Sequence, residues 1–514
     1  MKQVLLSPMH AYRPLPQWGV WLLAAMLVLL APVAGLLAVT GSVFLVTIPV
    51  LLVLSLVLAF HPWLFTWLII FSGLVVMGIL KLYAPQFQVI RWLIPLMTLA
   101  VPIAVFLLQA FNPSPAEKTK LPALFWWGMA FVCASLASTL VNWSGLMTAI
   151  SGTKNYFQVW GLILVFALIR YRGDFSRGLT ILLVGVGLLQ IPFVLHQHFF
   201  IVPMRMRFAG VGGLSPDDVI AGTFGAEWYG GGNNALLAAY LFIVISLLFS
   251  LWRNKVLPAW LVFPAALLLA FPVFLNEAKV ALFYAWVMFV VLYWDDIARR
   301  PLRFIVANAF LVVFMSVFIL FYAQIAAETG KAHTVGQYLD FLIEMNLYRG
   351  YGTYELNRWT ALVFWFQEHF PHDLWHALVG HGLGETQEGS NLVDVSNSLA
   401  GHRYHGMGIG LTGLSALLWD VGLVGTMLVG LMFLSAYRLA GRLAKASNGN
   451  SLAMALFMGL QAGVAILALS IAHKSFFVFE MAFQILFVLI VGYLIYSARH
   501  LLQPDRQAPR AAGG

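Results

Sequence analysis

The sequence predicts an all-α polytopic membrane protein with about 14 transmembrane helices. Mean hydropathy is +0.87 and only 10% of the 514 residues are charged, so apolar runs long enough to cross a bilayer recur along the chain. The runs are continuously apolar rather than alternating, which favours helices over barrel strands, because each backbone polar group in lipid needs an internal partner. No separate soluble domain is expected, and residues 1–514 are interpreted as one membrane domain.

Each apolar run gives one expected span. The first run lacks a clear small-residue cleavage site and is interpreted as a retained helix rather than a signal peptide. Cys133 is the only cysteine, so no internal disulfide can form. In chain order, the expected spans are 18–38, 43–60, 62–80, 88–109, 122–141, 157–171, 178–200, 233–252, 257–275, 279–294, 303–326, 411–437, 451–472 and 475–497.

The distribution of basic residues predicts the orientation of these spans. When the chain is threaded from a cytoplasmic N-terminus, the inner segments hold more than half of the 29 Lys and Arg, as the positive-inside rule requires. The net charge of +9 then follows from topology, and no nucleic-acid partner is needed to explain it.

Two long loops are expected on the outer side. Residues 201–232 contain Arg205, Arg207 and Asp218, and residues 327–410 contain seven of the 13 histidines. Loops of this length are uncommon unless they act as lids or sites. In the second loop, the stretch YELNRWTALVFWFQEHF (354–370) has apolar residues at helical spacing, which predicts an amphipathic helix lying on the bilayer.

Histidines 369, 372 and 376 have the spacing of metal ligands on one helix face. Because Pro371 makes a regular helix there less certain, they are interpreted as interfacial or capping side chains, and no metal is expected. The glycines of VGHGLGE (379–385), which ends at Glu385, fit either a backbone anion nest or a plain turn. Lys279 is expected at an outer helix N-terminus, a poor position for a cation unless an anion binds there or Glu277 pairs with it.

Several motifs follow one another between about residues 200 and 435: GTFG (222–225) with GGNNALLAAYL (231–241), LNEAKVALFYAW (275–286), NRWTALVFWF (357–366), VGHGLG (379–384), and histidines ahead of LLWDVGLVGTMLVGLMFL (417–434). This order of motifs resembles the O-antigen ligase and polysaccharide polymerase (Wzy-like) superfamily. It implies a GT-C-like fold and a metal-independent glycosyltransferase that takes an undecaprenyl-diphosphate glycan as donor at the periplasmic face. No cofactor is implied.

The chain departs from the family pattern at three places. The family has an Arg shortly before the Gly-Thr-Phe segment, where this chain has Asp218 and Val219, and it has Ser-Arg where this chain has Ala278-Lys279. The family histidine is followed by Asn and lies closer to the acidic-x-Gly segment, whereas His405 is followed by Gly406. These departures argue against a standard ligase.

The chemistry of the reaction suggests roles for the polar residues. A diphosphate leaving group needs convergent cations when no metal is present, and the acceptor hydroxyl needs a base, for which histidine is suited. The segment GHRYHGMGIG (401–410) is therefore interpreted as the outer mouth of an active site, with His405 as the favoured base. The remaining candidates are His402 and Arg358 as catalytic residues, and Arg205, Arg207, Lys279, Arg403, Asp218, Asn234, Tyr404 and Glu385 as substrate-binding residues.

The sequence thus predicts a polysaccharide polymerase of the bacterial inner membrane, with its active site facing the periplasm. Its expected partners are the lipid-linked glycan and the bilayer, together with a chain-length regulator and a flippase. Two alternatives remain open at this point: a ligase or protein O-oligosaccharyltransferase, and a transporter (flippase) for the lipid-linked sugar. Transporters usually place ionisable groups at the bilayer midplane and contain internal repeats, neither of which the sequence displays.

Overall fold

A computed structural model describes residues 62–111, 120–169, 175–207, 216–228, 230–276, 278–299, 334–348, 354–389, 395–447 and 449–502, with Gly350 and isolated positions between 302 and 324. This part of the chain is helical and contains no strand. The expected spans 18–38 and 43–60 lie outside it, as does most of 303–326.

The helices in chain order are α1 Pro62–Tyr83, α2 Leu93–Phe111, α3 Ala123–Val141, α4 Leu146–Tyr156, α5 Leu162–Leu168, α6 Phe175–Met206, α7 Asn234–Arg253, α8 Ala259–Leu275, α9 Ala281–Leu292, α10 Trp294–Arg299, α11 Val335–Ile343, α12 Arg358–His369, α13 Leu374–Val379, α14 Gly413–Ala446, α15 Ser451–His473, α16 Phe476–Phe479 and α17 Met481–Leu501. Single π-helical turns interrupt α1 at Ser72–Val76 and α6 at Gln197–Ile201.

Seven of the described helices are long and apolar enough to cross a membrane, namely α1, α3, α6, α7, α14, α15 and α17. The helices α8 and α9 are apolar but shorter. The described residues therefore have the helices of a polytopic membrane protein, without reaching the fourteen spans that the sequence predicts.

Several predicted boundaries differ from the observed ones. The expected span 157–171 is a turn followed by the seven-residue α5, and the intervening Gly161 packs closely on α2, since a Cβ there would be 2.4 Å from the Thr98 carbonyl oxygen. The expected span 475–497 is divided into α16 and α17 at Glu480. The helix α6 continues to Met206, so Arg205 lies on a helix rather than in the predicted loop 201–232.

The core of the molecule lies around α17, whose residues are almost all buried, and around α15, which packs against both α7 and α14. The helix α14 is broken at Gly422, which has φ +64°. A Cβ at Gly422 would lie 2.4 Å from the Leu378 carbonyl oxygen, so the break lets α13 approach α14 closely.

The predicted amphipathic helix is present as α12. Asn357 caps it by accepting hydrogen bonds from the backbone N–H groups of Trp359 and Thr360. Trp365 is buried, whereas Trp359 and Phe366 are each 57% exposed, so the helix has one packed and one open face.

Candidate functional site

Charged side chains converge where the ends of α1, α7, α15 and α17 meet. The Lys81 ammonium, in the last turn of α1, lies 3.3 Å from one carboxylate oxygen of Glu480 and 3.5 Å from Glu227. The second oxygen of Glu480 accepts a hydrogen bond from the Asn233 side chain at 2.8 Å. We call these and the neighbouring charges the charged cluster, which consists of Lys81, Arg205, Asp218, Glu227, Arg358, Lys474 and Glu480.

Lys474 lies between the members of the charged cluster. Its ammonium donates a hydrogen bond to the Gly232 carbonyl at 2.8 Å. Burial lowers the pKa of Lys474; Glu480 and Asp218 act in the opposite direction, whereas the cations Lys81 and Arg358 lower it further. The pKa is therefore below its ordinary value, and these four charges all act on one ammonium group.

Arg205 is the most deeply buried cation of the cluster, with an exposure of only 1%. One guanidinium nitrogen, Nη2, donates to the Gly230 carbonyl at 2.8 Å, and the carboxylates of Asp217 and Asp218 lie close enough to act on its charge. Its Nε and Nη1 have no hydrogen-bond partner among the residues that the structure describes. A buried guanidinium with two unpaired N–H groups is suited to bind an anion.

Arg358 is the first residue of α12. Its Nε donates to the His473 carbonyl at the end of α15, at 2.8 Å, which fixes α12 to the charged cluster. The guanidinium lies close enough to Lys474 and Tyr284 to act on both electrostatically. Arg205 and Arg358, which come from separate segments of the chain, therefore both belong to the charged cluster.

Asn234 connects the cluster to the neighbouring helices. Its side-chain amide donates to Asp218 at 3.3 Å and to the Asn276 carbonyl at 3.2 Å, and Asn276 donates back to the Asn234 carbonyl at 3.0 Å. Two other predicted cations, Arg207 and Lys279, are exposed. The Lys279 ammonium lies 5.3 Å from the centroid of the Tyr338 ring.

In the segment 401–410, His402 and His405 are both exposed. Arg403 and Tyr404 instead contact α12: the Tyr404 hydroxyl donates to Glu368 at 2.6 Å, and Arg403 forms an ion pair with the same carboxylate at 3.3 Å. These two contacts attach the segment to the packed face of α12.

His405 is connected to the charged cluster through two further side chains. Partial burial raises the pKa of Glu388. The charge of His405 and hydrogen bonds with Tyr354 and the Gly406 N–H act in the opposite direction. Burial also raises the pKa of Tyr354, and both Glu388 and Glu227 add to the shift. Glu227 in turn pairs with Lys81, so these groups link His405 to the cluster step by step.

Glu385 is buried and supports the backbone of the loop before residue 401. One carboxylate oxygen accepts the Leu399 N–H at 2.7 Å, while burial raises the pKa of the group. The adjacent glycine segment is a turn that packs on the break in α14. The N–H groups of His381 and Gly382 donate to the carbonyls of Trp419 and Asp420, so these donors do not form an open anion nest.

A second group of titratable side chains lies at the junction of α12, α13 and α14. The Nε2 atoms of His369 and His381 are 3.0 Å apart, and Nδ1 of His376 is 2.6 Å from a carboxylate oxygen of Asp373. Burial lowers the pKa of His369. Burial also lowers the pKa of His381, and the neighbouring His376 and His369 lower it further, to about 3. We call these four residues the histidine cluster. His372, which the sequence groups with His369 and His376, is exposed.

Neither Lys81 nor Glu480 is among the candidate site residues that the sequence provides. A lysine in the last turn of an apolar span was the available signal, because an ionisable group in such a position usually has a partner. Lys81 and Glu480 also line a cavity, together with Lys154, Gln158 and Phe224.

No family model matches the sequence, and no curated protein is significantly similar to it.

Proposed function

We propose that the protein is a metal-independent polysaccharide polymerase that joins undecaprenyl-diphosphate-linked repeat units at the periplasmic face of the bacterial inner membrane. The observation that carries the proposal is Arg205, a buried guanidinium whose Nε and Nη1 have no partner in the described part of the chain. Each of these charged N–H donors can bind a phosphate oxygen. The order of motifs supports the same class of reaction.

In this proposal, the cations of the charged cluster bind the donor diphosphate. Arg205 donates to a phosphate oxygen through one of its unpaired nitrogens, and Lys474 and Arg358 add positive charge from the neighbouring helix ends. The carboxylates of Asp218 and Glu480 hold these cations in place before substrate binds. Charge that develops on the leaving diphosphate is thereby stabilised in a site with little water.

His405 is the proposed general base. The acceptor hydroxyl oxygen forms a bond to the anomeric carbon of the donor glycan, and the bond from that carbon to the diphosphate oxygen breaks. The hydroxyl proton passes to the imidazole of His405, and undecaprenyl diphosphate leaves with the bonding electron pair. Glu388, which acts electrostatically on His405, stabilises the imidazolium that forms.

The chain offers a matched pair of variants to test the role of Arg205. Arg205 is buried in the cluster, whereas Arg207, two residues later, is exposed. We expect Arg205→Ala to lower the rate of polymerisation of a lipid-linked glycan by about 10²–10³-fold, the usual effect of losing one charge-stabilising donor. Arg207→Ala should change it by no more than several-fold.

The rates should be measured with purified protein at equal concentration, and thermal unfolding should be recorded for each variant. Arg205→Lys serves as a folding control because it keeps the charge and the approximate length but lacks the unpaired Nε and Nη1 donors. We expect it to unfold close to the wild type and to remain at least 10-fold slower. Normal polymerisation by Arg205→Ala would refute the proposal.

A further inference from the structure

The histidine cluster contains a pair of imidazoles whose geometry is that of two ligands on one metal ion. The Nε2 atoms of His369 and His381 face each other at 3.0 Å, with ring centroids 5.2 Å apart and ring planes at 62°. Two imidazole nitrogens bound tetrahedrally to zinc at about 2.0–2.1 Å lie about 3.3 Å apart, and their ring centroids are about 5 Å apart. At this N···N distance, a centroid separation of 5.2 Å means that the two nitrogens face each other almost head-on, so an ion is admitted when the rings separate by a few tenths of an ångström and tilt toward a common point.

The outer contacts of His369 favour the same role. Its Nδ1 lies 2.7 Å from the Trp365 carbonyl oxygen, which can only accept, so Nδ1 carries the proton and Nε2 has a free lone pair. A metal-bound histidine almost always donates its other N–H to a carbonyl or carboxylate in this way. The ring is also held by stacking on Trp365 and by an edge contact with Trp419.

A third ligand is available from the Asp373–His376 pair. One ligand atom each of Asp373, His376 and His381 lies within 4.8 Å of the others. The rings of His376 and His381 are stacked at 4.2 Å and nearly parallel, so their in-plane lone pairs cannot converge on one ion. The carboxylate of Asp373 is 38% exposed; one oxygen accepts the His376 N–H as the cap of α13 and the other accepts from Nδ1 of His376, and each oxygen keeps a further lone pair for an ion.

We infer that His369, His381 and Asp373 bind one divalent transition-metal ion, with zinc as the best fit, and that His376 orients the carboxylate. Two imidazoles and one carboxylate form a ligand set that zinc prefers, and a water molecule completes the tetrahedron. The ion would join the end of α12 to the turn that precedes α13 and to the loop that packs on α14. Its ligands are not part of the charged cluster, so the ion clamps the fold and does not take part in the proposed transfer.

The test uses the full chain, purified without a polyhistidine tag, stripped with chelator and dialysed against Zn²⁺. Elemental analysis should give about one zinc per chain for the wild type. His372→Ala is the matched control, because His372 is a neighbouring but exposed histidine, and it should bind the same amount. His369→Ala and His381→Ala should each bind less than about one-tenth as much at the same free Zn²⁺.

Two further measurements keep the result independent of misfolding. Zn²⁺ should raise the thermal unfolding temperature of the stripped wild type by about 2 °C or more, because it binds only the folded chain, and should leave that of His381→Ala unchanged. Co²⁺ in place of zinc should give the visible absorption of a tetrahedral site in the wild type and in His372→Ala. The inference is overturned if the wild type binds no stoichiometric zinc, if His381→Ala binds as much as the wild type, or if His372→Ala loses binding.

Discussion

Replacing Lys81 should destabilise the fold through a specific buried ion pair. Lys81 is 8% exposed and lies 3.3 Å from Glu480, which is 19% exposed. Removing one partner of a buried pair typically costs about 3–5 kcal/mol, because the other charge remains without compensation. Glu480 keeps the Asn233 hydrogen bond and the attraction of Lys474, so we expect Lys81→Met to lower the free energy of unfolding by about 2–3 kcal/mol.

The double variant Lys81→Met/Glu480→Gln separates stability from function. Its amide oxygen can still accept from Asn233, and the one carboxylate that loses Lys81, Glu227, is 62% exposed and solvated, so we expect the free energy of unfolding of the double variant to lie within about 1 kcal/mol of the wild type. If Lys81 contributes charge to the substrate site, the double variant should still polymerise about 10-fold or more slowly.

Thermal unfolding of purified protein in one detergent measures the loss of stability. In a chain of this length, we expect Lys81→Met to lower the unfolding temperature by about 2–3 °C. A polymerisation assay at equal protein concentration measures the effect on function. A single variant as stable as the wild type would show that the pair does not stabilise the fold. Normal polymer from the double variant would exclude Lys81 from the substrate site.

The remaining predictions concern the loop that carries the histidines. His405→Ala should lower polymerisation by about 10²–10⁴-fold and His402→Ala by no more than several-fold, measured at equal membrane expression; the reverse order would identify His402 as the base. Gly408→Ala should destabilise the protein by about 1–3 kcal/mol more than Gly406→Ala in thermal unfolding. Both glycines have positive φ, but only a Cβ at residue 408 would lie 2.7 Å from the Tyr354 ring. Equal losses of stability in the two variants would contradict this packing. His381, whose pKa burial lowers to about 3, stays neutral in the fold, whereas the unfolded chain takes up its proton below about pH 6.5. The contribution of His381 to the free energy of unfolding is therefore present above pH 6.5 and lost as pH falls toward 3. For metal-free protein, this loss amounts to about 2 kcal/mol between pH 7 and pH 5. His381→Gln should lack this pH-dependent loss, and an identical pH dependence of unfolding in the wild type and the variant would refute the prediction.

The sequence by itself determined the helical membrane class and the approximate position of most described spans. Both depend on local properties, since a run of about 20 apolar residues is a span wherever it packs. The amphipathic helix α12 was predicted for the same reason, because its spacing and its Asn357 cap are encoded within a few residues. Arg205 and Arg358 were candidate site residues because they lie in the two loops expected on the outer side.

Only the tertiary structure decided how the charges pair. Lys81 and Glu480 are 399 positions apart in the chain, and their contact depends on the packing of α1 beside the start of α17. The sequence grouped His369 with His372 by helical spacing, but His369 faces His381 because the break at Gly422 lets the preceding loop pack on α14. Local periodicity fixes the face of a helix on which a side chain lies, and the partner on that face is fixed by long-range packing, in which distant segments become neighbours.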